Sequence, residues 1–222
     1  MPTRERLSRD RILAAAVVLA DAEGLDAVSM RRLAEQLGVV PMALYKHVAD
    51  KEELLDGMVD AALAELAPAS TDLDWRASVR SHVLAARVVQ LRHRWLRRAM
   101  ESRTNRTLVV LAHTDRVIAV FREAGFSDQL THHVMHALGS RLWGFTQDLY
   151  ESASPGLPPT PEQVAQLVSA FPDLAAVAGA TGHDPASVVG TGCDDQYEFE
   201  FALDLLLDGF ERLRVQSWPA SI

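Results

Sequence analysis

Between Ser8 and Val215, apolar side chains return every three or four residues, in blocks closed by glycine or proline. That interval is the turn of an α-helix, and strand-like alternation between turn signals is scarce, so an all-α fold is expected. Ser8 is placed to cap a first helix carrying Ile12, Leu13, Ala16, Val17, Leu19 and Ala20, which Gly24 ends. Ser29 opens a short second helix with Met30, Leu33, Ala34 and Leu37, closed by Gly38. Pro41 fits the first turn of a third, with Leu44 and Tyr45. Asp50, with Glu53 three positions on, predicts a capped start for a fourth helix over 51–67, before Pro68.

Longer helices follow. One is expected from Trp75 to Met100 on Val79, Val83, Ala86, Val89 and Trp95, and another over 108–124, ended by Gly125. A third, 128–151, carries Leu130, Val134, Leu138, Leu142 and Phe145 on one stripe. Six of the ten prolines lie in 152–193, which makes that stretch an excursion with short helices near 161–170 and 172–179. A last helix, 194–215, has the stripe Phe199, Leu203, Leu206, Phe210 and Leu213. The expected organisation is a three-helix head over 1–50, a connecting helix over 51–67 and a larger helical domain over 68–222.

The net charge of −8 argues against nucleic acid until its distribution is read. Residues 1–51 hold eight Lys/Arg against seven Asp/Glu, whereas 52–222 hold fourteen against twenty-three. An acidic body repels phosphate, so the head is the only face suited to DNA. The single cysteine, Cys193, excludes an intrachain disulfide framework and suits a reducing cytoplasm. Charged residues interrupt every apolar run before it could span a bilayer, and no signal-type stretch follows the charged start, so a cytoplasmic protein without membrane contact is expected.

Ser29 to His47 carries the chemistry. Two short helices about Gly38-Val39 match a helix-turn-helix, whose second helix enters the major groove. Leu33, Ala34, Leu37, Val39 and Leu44 are spaced to hold the pair together. Arg31, Arg32, Lys46, His47 and Lys51 then face outward with Tyr45, a set suited to phosphate contacts and a few base contacts. Periodicity alone also allows a plain helical corner with solvated charges.

Ser29-Met30-Arg31-Arg32-Leu33-Ala34-Glu35-Gln36-Leu37-Gly38-Val39, followed by Leu44-Tyr45-Lys46-His47-Val48-Ala49-Asp50-Lys51-Glu52-Glu53-Leu54-Leu55, resembles the signature of the tetracycline-repressor family of transcriptional regulators. The resemblance covers roughly 8–66. It implies DNA contacts for Ser29, Arg31, Pro41, Met42 and Ala43, phosphate roles for Tyr45, His47 and Lys51, and a groove contact for Lys46. Because Pro41-Met42-Ala43 offers few polar groups, apolar contact with thymine methyls is the expected readout there.

The rest is similar, more loosely, to the C-terminal domain of the tetracycline repressors, through Trp75, Ala124-Gly125-Phe126-Ser127, Gly139, Gly144 and the stretch from Tyr197 to Gly209. The likeness implies a homodimer built on the last helices, here Phe199, Leu203, Leu206, Gly209, Phe210 and Leu213, with a final helix buried inside its own subunit as the alternative. It also implies a small-molecule pocket, for which His82, Ala86, Met100, Ser140, Trp143 and Phe145 are the candidates. Met100 stands at the position of the family's metal-binding histidine, and Ser140 and Gln147 or Asp148 stand at other metal-linked positions. A magnesium–tetracycline ligand is therefore not expected, and no metal-ligating residue or cofactor is assigned, though participation of a metal in effector binding stays open.

His132 and His136 have the spacing of a chelating pair but no acidic or thiol partner fixed nearby, so solvated or interface histidines are the simpler reading. Seven arginines between Arg87 and Arg106 are read mainly as a solvated face, with attraction of an anionic effector as the lesser alternative. No nucleophile elbow, phosphate-binding glycine loop or paired catalytic carboxylates are found, and an enzyme is not expected. The expected function is a palindrome-binding repressor, released from DNA by a small molecule. A helical enzyme or carrier, or a regulator without effector, is the alternative.

Overall fold

The computed structural model describes residues 6–70, 74–103, 106–144, 160–180 and 194–218, and among them every regular element is helical. Helix α1 spans Arg9–Glu23, with the Ser8 hydroxyl accepting from the Arg11 amide at 3.2 Å. After a 3₁₀ turn over Leu25–Ala27, α2 covers Met30–Leu37 and α3 Pro41–Leu44. Helix α4 covers Lys51–Leu63, shorter than the periodicity suggested, because a tight turn closes on Leu63 before Pro68. Its start is capped twice: Asp50 accepts from the Glu53 amide at 2.8 Å, and the Glu53 carboxylate accepts from the Ala49 amide at 2.7 Å.

The expected single helix from Trp75 to Met100 is two helices, α5 over Trp75–Arg92 and α6 over Leu96–Glu101. The break falls at His93, where φ −109° and ψ 72° leave the helical region. Two carboxylates from elsewhere in the chain hold its ring there, as described below. Helices α7 (Leu108–Glu123), α8 (Asp128–Gly144), α9 (Pro161–Ala170), α10 (Pro172–Ala180) and α11 (Asp195–Val215) complete the set. Phe145, Gln147, Asp148, Cys193, the 145–151 end of the third long helix and most of the excursion outside α9 and α10 lie outside the described residues.

The chain divides into two compact units, Met1–Met135 with Leu213–Ile222, and His136–Arg212. In the first, α1 packs on α2 and α4, and α4 in turn on α6 and α7. The α1–α4 seam is close: a Cβ on Gly57 would meet the Leu13 Cδ2 at 2.6 Å. Trp75, Phe121 and Phe126 cluster with ring centroids 5.0–5.8 Å apart and join α5 to the α7–α8 corner. The stretch 213–218 returns to that corner, with Arg214 donating to the Ala124 carbonyl at 3.3 Å and Trp218 edge-on to His133. In the second unit, α9 packs on α10, and Arg141 donates to the Glu198 carbonyl at 2.7 Å while its guanidinium lies over Phe199.

Candidate nucleic-acid interface

Two short helices can hold a fixed angle only if the turn between them is rigid and their shared face is apolar. Both conditions are met. Leu33, Ala34 and Leu44 are buried, as are Val28 and Val48 on either side of the motif. The Ser29 hydroxyl accepts from the Arg32 amide at 3.3 Å, which leaves Ser29 at the positive end of α2, where an anion is favoured. Gly38 closes α2 in the left-handed region, φ 65° and ψ 38°, a conformation that costs other residues about 1–2 kcal/mol. The Val39 amide then satisfies the Ala34 carbonyl at 2.9 Å, and the chain turns directly into α3.

What the turn presents is an apolar tip with cations beside it. Val40 and Met42 are 67% and 69% exposed, Pro41 is exposed and Ala43 half-buried. Tyr45, Lys46 and Lys51 are exposed and His47 is half-buried. Sequence reasoning missed Val40; its position just before the proline of α3 was the available signal. The arginines of α2 behave differently from one another. Arg31 is almost fully exposed and pairs loosely with Glu35 at 3.2 Å, a contact that solvent screens. Arg32 is exposed as expected, with one nitrogen 2.6 Å from both carboxylate oxygens of Glu23 at the end of α1, a surface pair that solvent also screens.

The acidic side of α4 is held from α6 and α7. Arg103, largely buried, donates to Asp56 at 2.7 Å and to Glu52, and the Thr107 hydroxyl donates to Asp60. Burial opposes the charge of Arg103, but Asp56 and Glu52 outweigh it and hold its pKa above the ordinary value. A shallow cleft runs beside these groups, lined by Asp56, Val59, Met100, Arg103, Arg106, Thr107 and Val110. Met100 therefore lines open space.

His82, on α5, has its Nδ1 buried without a hydrogen-bond partner, and its ring stacks on His113 of α7 with centroids 6.2 Å apart. Burial, and then the neighbouring His113, lower its pKa, while a hydrogen bond with the Ala67 backbone pulls weakly the other way. A neutral imidazole with a free nitrogen is suited to a polar group on a ligand. His113 was not anticipated, since nothing in the sequence ties α7 to α5 at that level. Ala86 is half-buried on α5. Ser140 and Trp143 belong to the second unit, exposed and half-buried respectively. Among the described residues, no group of three or more His, Cys, Asp or Glu is placed to hold a metal ion. No helix among them is long and apolar enough to cross a membrane.

On α11 the expected partner-facing stripe is rotated. Phe199, Leu203 and Phe210 are buried within the single chain, together with Leu207, so they form interior rather than a surface that a partner could meet. Leu206, Gly209 and Leu213 are half-buried. The exposed apolar row is Tyr197, Phe201 and Leu205, at four-residue intervals, with Gly209 next in the series and open space where its Cβ would be.

Two family profiles match this chain: bacterial regulatory proteins of the tetR family over residues 12–58, and the tetracyclin repressor-like C-terminal domain over 67–214. The HTH-type transcriptional repressor DrrR1 of Streptomyces coeruleorubidus is 32% identical over 221 residues, covering 95% of this chain and 79% of that one. The crystal structure of apo ActR from Streptomyces coelicolor superposes with a TM-score of 0.72 at 28% identity, over 96% of this chain and 99% of the other. ActR in complex with actinorhodin gives 0.67 at 28% identity, over 94% and 98%.

Proposed function

Because the chain belongs to the tetR family of bacterial regulatory proteins, and is a transcriptional regulator with a helix-turn-helix, we propose that it is a repressor that binds a palindromic operator as a homodimer and leaves it on binding a small molecule. The observation that carries the reading is the exposed tip of α3 (Val40, Pro41, Met42), flanked by Arg31, Tyr45, Lys46 and Lys51 on a rigid turn. Side chains so placed enter a major groove, where Met42 and Val40 meet thymine methyls and the cations meet phosphate. Ser29, Ala43 and His47 complete the contact surface.

The chain is read as a DNA-binding head over 1–50, a connecting helix over 51–67 and an effector and dimerisation domain over 68–222; the matches over 12–58 and 67–214 support a head followed by a larger domain. Two-fold symmetry suits a reader of repeated half-sites, and the exposed row on α11, with Leu206 and Leu213 at its flank, supplies the apolar surface for it. His82, Ala86 and Met100 are the effector candidates of the first unit, and Ser140 and Trp143, taken separately, those of the second. ActR, solved with actinorhodin bound, supports a small-molecule effector here.

The test is selection of binding sites from random duplex DNA, followed by titration of the selected site in rising salt. A two-fold symmetric site is expected, with binding that weakens as salt rises. Recovery of no preferred sequence, with only millimolar binding in low salt, would end the repressor reading.

A further inference from the structure

His93 lies at the break between α5 and α6 and is buried, yet both of its ring nitrogens face carboxylates. Nδ1 is 2.8 Å from Asp21 Oδ1, on the last turn of α1, and Nε2 is 3.0 Å from Glu65 Oε1, just past the end of α4. A carboxylate only accepts, so only the imidazolium form, with a proton on each nitrogen, makes both bonds at once. The Trp95 indole donates to the same Asp21 oxygen at 2.6 Å, and Arg92 pairs with the other oxygen of Glu65. The charged groups facing one another here are thus Asp21 from α1, Glu65 from the end of α4, and His93 and Arg92 from α5. Two carboxylates balance two cations. Without the proton on His93, one carboxylate faces a ring lone pair and the node keeps an excess negative charge.

We propose that His93 is a proton-dependent positioning residue, which fastens the DNA-reading head to the α5–α6 corner by holding α1 and the end of α4 through Asp21 and Glu65. This rests on the reading above, in which α1 to α3 form the head. Three segments meet at one buried ring, and two of its bonds span 72 and 28 residues of sequence. Losing the proton removes one of those bonds and turns an attraction into repulsion. Burial pushes the His93 pKa down, but the Asp21 and Glu65 carboxylates outweigh it and hold it above the ordinary 6.5. For a group raised on folding, the fastening is complete below the unfolded value and is lost as pH rises through the folded one. Alkaline conditions therefore loosen the head, and neutral or mildly acidic ones tighten it.

The experiment uses the full chain without DNA, so failure of the clamp and failure of the proposed repressor activity are separable. Nitrogen-15 labelling of the histidines reads the protonation of His93 directly, and amide hydrogen exchange reads the last two turns of α1 between pH 6 and 8.5. His93 is expected to carry both protons at pH 7 and to titrate above 6.5. Protection of α1, corrected for intrinsic exchange, should fall by roughly tenfold for each pH unit that separates the folded and unfolded titrations. Asp21→Asn keeps an acceptor for Trp95 and His93 while removing the charge. It should lower the titration by roughly one pH unit or more and carry the loss of protection with it. Glu65→Gln gives the same reading if Asp21→Asn does not fold. A neutral His93 at pH 6.5, or α1 protection that stays flat while His93 titrates, would overturn the proposal.

Discussion

Arg31 and Arg32 are adjacent in sequence and differ in pairing. Both pairs are exposed, but the Arg32 guanidinium meets Glu23 with two short contacts, whereas Arg31 shares a longer and more exposed pair with Glu35 that DNA can displace. Arg31→Ala should therefore relax the preference at one base pair of the selected site, by about 1–3 kcal/mol. Lys51→Ala should weaken all sequences alike and reduce the slope of log affinity against log salt by roughly one. Competition binding with single-base variants of the site, at two salt concentrations, separates the two effects. Equal losses for both variants on every sequence would make Arg31 a phosphate contact. No such distinction between the arginines is available from spacing, because it depends on where the end of α1 lies.

At the scale of elements, Gly57 shows what a packed seam demands. Glycine inside a helix costs about 1 kcal/mol relative to alanine, so α4 gives up stability there. The gain is the approach of α1, since an added Cβ would sit 2.6 and 2.9 Å from the Leu13 methyls and 3.1 Å from Arg9. Leu13 is buried and has little room to swing, and overpacking of this kind costs about 1–3 kcal/mol. Gly57→Ala should accordingly lower the urea midpoint despite the better helix former; a raised midpoint would show that Leu13 moves aside. Helix starts and stops were legible because caps act locally: Ser8, Ser29, Asp50, Gly24 and Gly38 all do what their positions announce. The break at His93 was not legible, since the carboxylates that hold it lie 72 and 28 residues away. The stripe on α11 failed differently. Leu206 and Leu207 both fit a helical repeat between Leu203 and Phe210, and only packing selects Leu207 for the interior.

For the whole molecule, that one-residue rotation decides how a dimer is tested. Tyr197, Phe201 and Leu205 are exposed in the single chain, with the first two rings stacked at 6.4 Å. Charges placed at Phe201 and Leu205 therefore meet water in the monomer but an apolar seam in the proposed dimer, at a cost on the order of several kcal/mol. Phe201→Asp with Leu205→Asp should give monomers by light scattering with unchanged helicity. A dimer that persists would place the interface away from this row. Phe210→Asp, by contrast, should unfold the chain, because that ring is interior. The helical class and the reading motif were open to sequence because they rest on short-range patterns. The joints between distant segments were not. One of those joints bears on synthesis. The first unit is completed by residues from Leu213 onward, through Arg214 on Ala124 and Phe126 and Trp218 on His133. A ribosome releases that stretch only after all of the second unit has emerged, so the body that carries the reading head closes only once that unit has been made. Nascent or prematurely terminated chains hold a head whose own unit is still open at the α7–α8 corner.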